Sequence, residues 1–172
     1  MKIMTTGDGF DEKMITDMLT GGGPTSDPAG KFTVPRVPVG KGSLIVMPKD
    51  GGFQQLAKHE FEVTAAGQRL DVGAIKIVPP RTGEAGTLGM GTEVTSGALT
   101  VASVKSGGPA EGAGARVGDK IVSINGIAVA DLTAEIGKTL LESGTVGVGQ
   151  SFQLGVDRAG TAAQITIIAV AW

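Results

Sequence analysis

The chain has 172 residues, among them 29 glycines, 8 prolines, one histidine and no cysteine, with 15 basic against 17 acidic side chains. This excludes a disulfide framework, a thiolate metal site, a cysteine nucleophile and a multi-histidine metal site, and it leaves no basic stripe for nucleic acid. Hydrophobic residues make up 41%, with five Phe, one Trp and no Tyr, so the chain is folded and turn-rich and its core is built from Val, Ile, Leu, Met and Ala. The longest apolar run, Ile167–Trp172, falls far short of the roughly 20 residues of a membrane span. The first twenty residues carry four acidic side chains and two lysines, unlike a signal peptide. The absence of cysteine suits the cell envelope, so a periplasmic or secreted location is the expectation, with the cytoplasm as the alternative.

Residues 1–83 hold ten basic against nine acidic side chains, and residues 84–172 five against eight. The change follows Pro79-Pro80 and falls in the stretch from Gly83 to Gly91, which places a boundary between a unit of 1–83 and one of 84–172. The first predicted element is a helix. Asp8 is its N-cap, Asp11 favours the dipole, and Phe10, Met14, Ile15, Met18 and Leu19 form its apolar face. Gly21-Gly22-Gly23-Pro24 ends it. Phe32–Val39 alternates in part but contains Pro35 and Pro38, and reads as an edge strand or extended arm. Ser43–Met47 is a strand. His59–Thr64 and Gln68–Val78 are two more, joined through Ala65-Ala66-Gly67. This first half is a small β-rich unit with one helix.

In the second half Met90–Val94 and Ala98–Val104 read as strands, and Gly107-Gly108-Pro109 begins a turn and one short helical turn through Ala113. Lys120–Asn125 is a strand that ends in the hairpin pair Asn125-Gly126. Asp131 caps a helix over Leu132–Leu141, with Gly144 past its end. Ser151–Asp157 and Thr161–Ala171 close the chain as a hairpin through Arg158-Ala159-Gly160. The fold class is mainly β with short helices, an α+β chain. Its C-terminal unit is a partly open barrel with two helices, one of them across an opening.

Two stretches resemble a PDZ domain in its bacterial, protease-associated arrangement. Gly86-Thr87-Leu88-Gly89-Met90-Gly91 is similar to the carboxylate-binding loop that opens such domains. The long run from Gly107 through Gly126, with Pro109-Ala110, Gly118-Asp119, Ile121-Val122 and Ile124-Asn125-Gly126 at fixed spacings, is similar to the family's second motif. Gly108 stands where the family commonly has Ser, and Ala115 where it has Leu or Ile. The resemblance covers residues 84–172.

It implies a module that takes an extended peptide as an added strand, with the peptide's C-terminal carboxylate held by successive backbone N–H groups. Glycines 86, 89 and 91 would permit that convergence through positive φ and close approach. The expected peptide-binding residues are Leu88, Gly89, Met90, Gly91 and Thr92 on the loop and strand, and Ile136 and Leu140 on the helix. Leu88 and Met90 floor a pocket for the terminal side chain. The helix stripe Leu132, Ile136, Leu140 reads either as core or as groove wall; Ile136 and Leu140 are assigned to the wall, and Leu132 stays open between the two. The second half has no histidine, and Leu132-Thr133 occupy the start of the helix, where family members that select Ser or Thr near the ligand terminus carry one. Apolar C-terminal ligands are therefore expected. Arg81 or Lys76 could support the carboxylate through water, or be solvated surface charges.

No nucleophile–base pair or metal-ligand set is visible, so no catalytic residue, metal or cofactor is expected. Gly137-Lys138-Thr139 lacks the first glycine of a P-loop, Leu132 standing in its place. Gly144, Gly147 and Gly149 present the dinucleotide fingerprint in reverse, after a helix. The expected partners are protein or peptide C-termini, with no nucleic acid and no membrane span, and with self-association as a further possibility. Two other readings stand beside the binding module. One is a non-catalytic regulatory fragment of a PDZ-containing protease. The other is a structural or assembly component whose groove is filled by its own chain, with Phe32–Val39 the candidate, or by a neighbouring copy.

Overall fold

The computed structural model describes residues 1–7, 23–49 and 54–171. The helix expected from Asp8 to Leu19 lies outside the described residues. The chain divides into two compact units, Met1–Ile77 and Val78–Trp172.

The first unit is built on a three-stranded antiparallel sheet in the order β1-β2-β3, with β1 Lys2–Gly7, β2 Gly40–Met47 and β3 Ala57–Val63. β1 was not expected from the sequence. Its inward residues are Ile3 and Thr5, both 1% exposed, and one of them is polar, so the alternation of a half-buried strand is blurred. Pro24 accepts from the Ile3 amide at 2.8 Å, which occupies part of the outer edge of β1. Ile3, Leu44, Val46 and Ala57 form the core, with Phe32, Val34, Phe61, Ile75 and Ile77 packed against it.

One expected strand, Gln68–Val78, is absent, and Phe32–Val39, expected as an edge strand or an extended arm, is not a strand. Phe32–Val39 forms no strand: its prolines cannot donate to a ladder, Arg36 takes φ 59°, and Phe32 and Val34 turn onto the core of their own unit. Gln68–Val78 forms none either. The Gln68 Oε1 accepts from the Thr64 and Ala65 amides, at 2.8 and 3.3 Å, and closes a local turn there. Asp71 then accepts from the Gly73 amide at 2.9 Å, and Gly73 takes φ 67°. A second turn thus interrupts the alternating run.

The second unit is an open, antiparallel six-stranded sheet in the order β4-β5-β6-β8-β9, with β7 paired to β6. The strands are β4 Met90–Thr95, β5 Ala98–Val104, β6 Lys120–Ile124, β7 Ile127–Ala128, β8 Ser151–Arg158 and β9 Thr161–Ile168. The sheet does not close into a barrel. β4 and β9 are its edges, and one bridge, Thr87 to Val170, ties the segment before β4 to the chain after β9. Hairpins turn at Ser96-Gly97, Asn125-Gly126 and Ala159-Gly160. All six residues have positive φ, between 50° and 85°, as a two-residue turn between twisted strands requires.

Three short helical segments replace the expected two: α1 Pro109–Gly112, α2 Val129–Leu132 and α3 Ala134–Leu141. The single helix expected over Leu132–Leu141 breaks at Thr133, which takes φ 74° and ψ 149°. Thr133 caps α3 itself, its hydroxyl accepting from the Ile136 amide at 3.4 Å, while Asp131 lies exposed within α2 and caps nothing. Leu132 is 0% exposed and belongs to the core. Gly137 lets α3 sit directly on the sheet: a Cβ there would lie 2.9 Å from Leu99 Cδ2 and 3.4 Å from Ile124 Cδ1.

Candidate functional site

The loop that leads into β4 is fixed by its carbonyls. Those of Gly86, Thr87, Leu88 and Gly89 accept from the amides of Gly144, Val170, Ala110 and Lys105, at 2.8 to 3.0 Å. The Gly86 and Thr87 amides donate to Val146 and Val170 carbonyls, and the Gly89 amide donates to Thr87 Oγ1 at 3.0 Å. The Leu88 and Met90 amides remain. Two nearby N–H groups with no acceptor inside the domain suit an anion.

Of the three glycines expected to adopt positive φ here, only Gly89 does, at 70°. Gly86 and Gly91 serve close approach instead: a Cβ would lie 2.8 Å from the Val170 carbonyl oxygen at one, and 2.6 Å from Ser103 Oγ at the other. At Gly89 both demands coincide, because a Cβ would also lie 2.8 Å from Pro109 Cδ at the start of α1.

The direction of the β4 backbone follows from its partners. Lys105 donates to the Gly89 carbonyl across the Met90–Val104 pair, which marks that pair as non-hydrogen-bonded. Thr92 lies opposite Val101, whose amide and carbonyl are both used on the far side, by Asp119 and Gly118. The bulge between these pairs falls on β5, where Ala102 is the extra residue, so β4 keeps its alternation. The N–H and C=O groups of Met90 and Thr92 therefore point away from β5, along an edge with no strand partner among the described residues.

The side chains of Met90, Thr92 and Val94 share the sheet face of their partners Val104, Val101 and Leu99. The Leu99 contact with Gly137 shows that α3 covers this face, and α3 packs against both β4 and β5. The site is thus a groove between the free edge of β4 and α3. Leu88, Met90, Ile136 and Leu140 are 0, 7, 4 and 2% exposed, so the expected floor and wall are closed in this state. Among the described residues, Thr92 Oγ1 is the buried side-chain polar atom without a hydrogen-bond partner.

One residue missed in the sequence, Thr87, holds the loop in place, and Asp119, read from the sequence as a turn cap, caps its turn. Thr87 Oγ1 accepts from Gly89 and pairs with Ser143 Oγ at 2.9 Å; a hydroxyl two residues before a turn glycine is the signal for it. Asp119 is 1% exposed and receives Arg158 Nε and Nη2, each at 2.7 Å, as well as the Arg116 amide at 2.9 Å. The Arg158 hydrogen bond holds the Asp119 carboxyl below the usual carboxylate range, against the opposing pull of burial. Arg81 Nη1 donates to the Gly144 carbonyl at 3.2 Å, and the Gly144 amide in turn donates to the Gly86 carbonyl of the loop. Lys76 belongs to the first unit. That unit carries a concavity of about 1010 Å³ over Leu44, Phe61 and Val63, flanked by Arg36 and Arg69, which includes none of the expected site residues. No group of three metal-ligating side chains comes together among the described residues, and no helix among them is long and apolar enough to cross a membrane.

A family model described as the PDZ domain matches residues 86–168. Among solved structures, the chain is similar to an HtrA-type protease determined with a decapeptide (21% identity, TM-score 0.42, covering 51% of this chain and 29% of that one). It is similar to the photosystem II D1 C-terminal processing protease (23%, 0.44, 53% and 24%). It is also similar to the PDZ domain of a carboxy-terminal protease from Vibrio cholerae in complex with a peptide (22%, 0.40, 51% and 94%). The chain thus spans less than a third of the length of either of the first two. No curated protein matches it. Residues 86–168 form a PDZ domain, a non-catalytic binding module.

Proposed function

We propose that this PDZ domain binds the carboxy-terminal end of extended peptides whose last residue is apolar. The observation that carries the reading is the unpaired edge of β4, with Met90 and Thr92 backbone groups facing outward next to the loop whose Leu88 amide has no acceptor inside the domain. A carboxylate held at the start of β4 makes the peptide run antiparallel to that strand. Its final side chain enters between Leu88, Met90, Ile136 and Leu140. Because these four are buried without a ligand, the pocket opens by displacement of Met90, whose unbranched side chain adapts readily.

The test is titration of the full chain with short peptides ending in Val, Leu or Phe, as free acid and as amide. Hydrogen bonds to a charged group contribute about 1.5–3 kcal/mol, so amidation is expected to weaken binding on the order of ten- to a hundredfold. Equal affinity of the two forms would overturn the carboxylate reading. Equal affinity together with concentration-dependent self-association would point to assembly between copies.

A further inference from the structure

The concavity of the first unit has no part in peptide binding by the second. It measures about 1010 Å³ and lies over Leu44, Phe61 and Val63 of the sheet, walled by residues of the irregular segments 29–37 and 67–74. Small-molecule sites usually measure roughly 300–1,000 Å³, so it has the size of a large one. Its interior is apolar. Phe32, Val34 and Phe61 line it and pack on the core of the unit, yet all three stay half-buried. Its charge is one-sided. Lys31, Arg36 and Arg69 line it against a single carboxylate, Asp71, and Asp71 Oδ1 already accepts from the Gly73 amide at 2.9 Å. None of the three cations forms an ion pair or a side-chain hydrogen bond among the described residues. Arg36 is also held at φ 59°, a conformation that is uncommon outside glycine and clusters at ligand clamps. We infer that this concavity is a second binding site of the chain, for a small amphipathic anion: a carboxylate carried on an apolar body.

The ligand class follows from meeting both features at once. An apolar body removes the open faces of Phe32, Val34 and Phe61 from water, which is the non-directional part of the binding. The carboxylate supplies the direction. A guanidinium presents a planar fork that matches a carboxylate with two parallel hydrogen bonds, and Arg36 and Arg69 bring one such fork from each wall. A bare anion would meet exposed cations that water already solvates, and would gain little. A neutral hydrocarbon would leave the three cations without a counter-charge beside it. An organic cation would face three like charges against one carboxylate. Only the apolar carboxylate satisfies the floor and the charged walls together. The inference stands on the first unit alone and does not depend on the groove beside β4.

The experiment titrates the full chain with decanoate, with decanol as its uncharged counterpart and acetate as the bare carboxylate, and follows backbone amide chemical shifts. Decanoate is expected to shift the amides of Leu44, Phe61 and Val63 saturably, and decanol and acetate to bind about tenfold or more weakly. In the double variant Arg36→Asn with Arg69→Gln, decanoate is expected to bind on the order of ten- to a hundredfold more weakly, with decanol unchanged. Asparagine tolerates positive φ, so the first substitution keeps the backbone of the wall. Arg69→Gln alone, at an exposed position, repeats the test with an expected loss of about three- to tenfold. Equal affinity of decanoate and decanol would overturn the inference, because contact would then be apolar only. Decanoate affinity unchanged in both variants would overturn it as well. Shifts confined to residues 86–168 would place decanoate in the peptide groove and overturn it too, while leaving the groove reading intact.

Discussion

Gly89→Ala probes the carboxylate loop most sharply, because two independent costs meet at one atom. Gly89 takes φ 70°, a conformation that costs an L side chain roughly 1–2 kcal/mol. The added Cβ would also lie 2.8 Å from Pro109 Cδ and 3.3 Å from Pro109 N. The proline ring cannot swing away as the end of a flexible side chain can, so the loop or α1 must shift, and overpacking of this kind costs about 1–3 kcal/mol. A gain of about 0.4–1 kcal/mol from the stiffer unfolded chain offsets part of this. The net loss is about 2–4 kcal/mol, or about 2 M in urea midpoint at a slope typical of small domains. Gly97→Ala is the control: Gly97 takes φ 75°, but its Cβ would meet nothing within 4 Å, so it bears only the conformational term. Urea denaturation of the two variants beside wild type separates the contributions. Equal destabilisation would refute the contact with Pro109, and two neutral variants would refute the positive φ as well.

Asp119→Asn removes the anion that Arg158 grips, and a loss of about 1.5–3 kcal/mol is expected near pH 6 by urea titration. The Asp119 carboxyl titrates below its ordinary value in the folded chain. Its contribution is therefore present above the unfolded carboxylate range near pH 4 and disappears as pH falls through the lower folded value; the gap between wild type and Asp119→Asn is expected to shrink on acidification toward pH 2. At Thr133, a β-branched residue at φ 74°, ψ 149° stores on the order of 1–3 kcal/mol of strain. Thr133→Gly releases that strain and keeps most of the N-cap preference, whereas Thr133→Ala keeps the strain and loses the cap, about 1 kcal/mol. Thermal midpoints are expected in the order Gly, Thr, Ala, and an Ala variant more stable than Gly would refute the strained cap.

The second unit was legible because its sequence carries punctuation with a fixed structural meaning. Asn125-Gly126 is a strong two-residue turn signal, Arg158-Ala159-Gly160 marks the last hairpin with its glycine, and once they are placed the apolar runs between them become strands. The groove strand was legible through Leu88-Gly89-Met90, where the glycine is needed for φ and for the approach of Pro109 alike. The long-range contacts were not legible. Thr133 looked like the second residue of a helix beginning at Leu132, since nothing local announces that it will cap α3 at positive φ. The anchoring of Asp119 by Arg158 joins residues 39 positions apart. The first unit resisted for a related reason. β1 buries Thr5 beside Ile3, which hides its alternation, whereas Gln68–Val78 alternates but is broken by the Asp71–Gly73 turn. Periodicity reports which residues face a core; it does not report which strand partner is within reach.

The outward direction of the β4 backbone is the claim on which the binding mode depends, and amide hydrogen exchange at Thr92 measures it directly. Thr92 N–H points away from β5 along an unpaired edge, so it is expected to exchange fast in the free chain. In the presence of a saturating free-acid peptide ending in Val it is expected to slow by more than an order of magnitude, as it becomes part of a ladder, while Glu93 N–H, paired to β5, stays protected in both states. Slow exchange at Thr92 without any peptide, or exchange unchanged by a peptide that binds, would contradict strand addition at this edge.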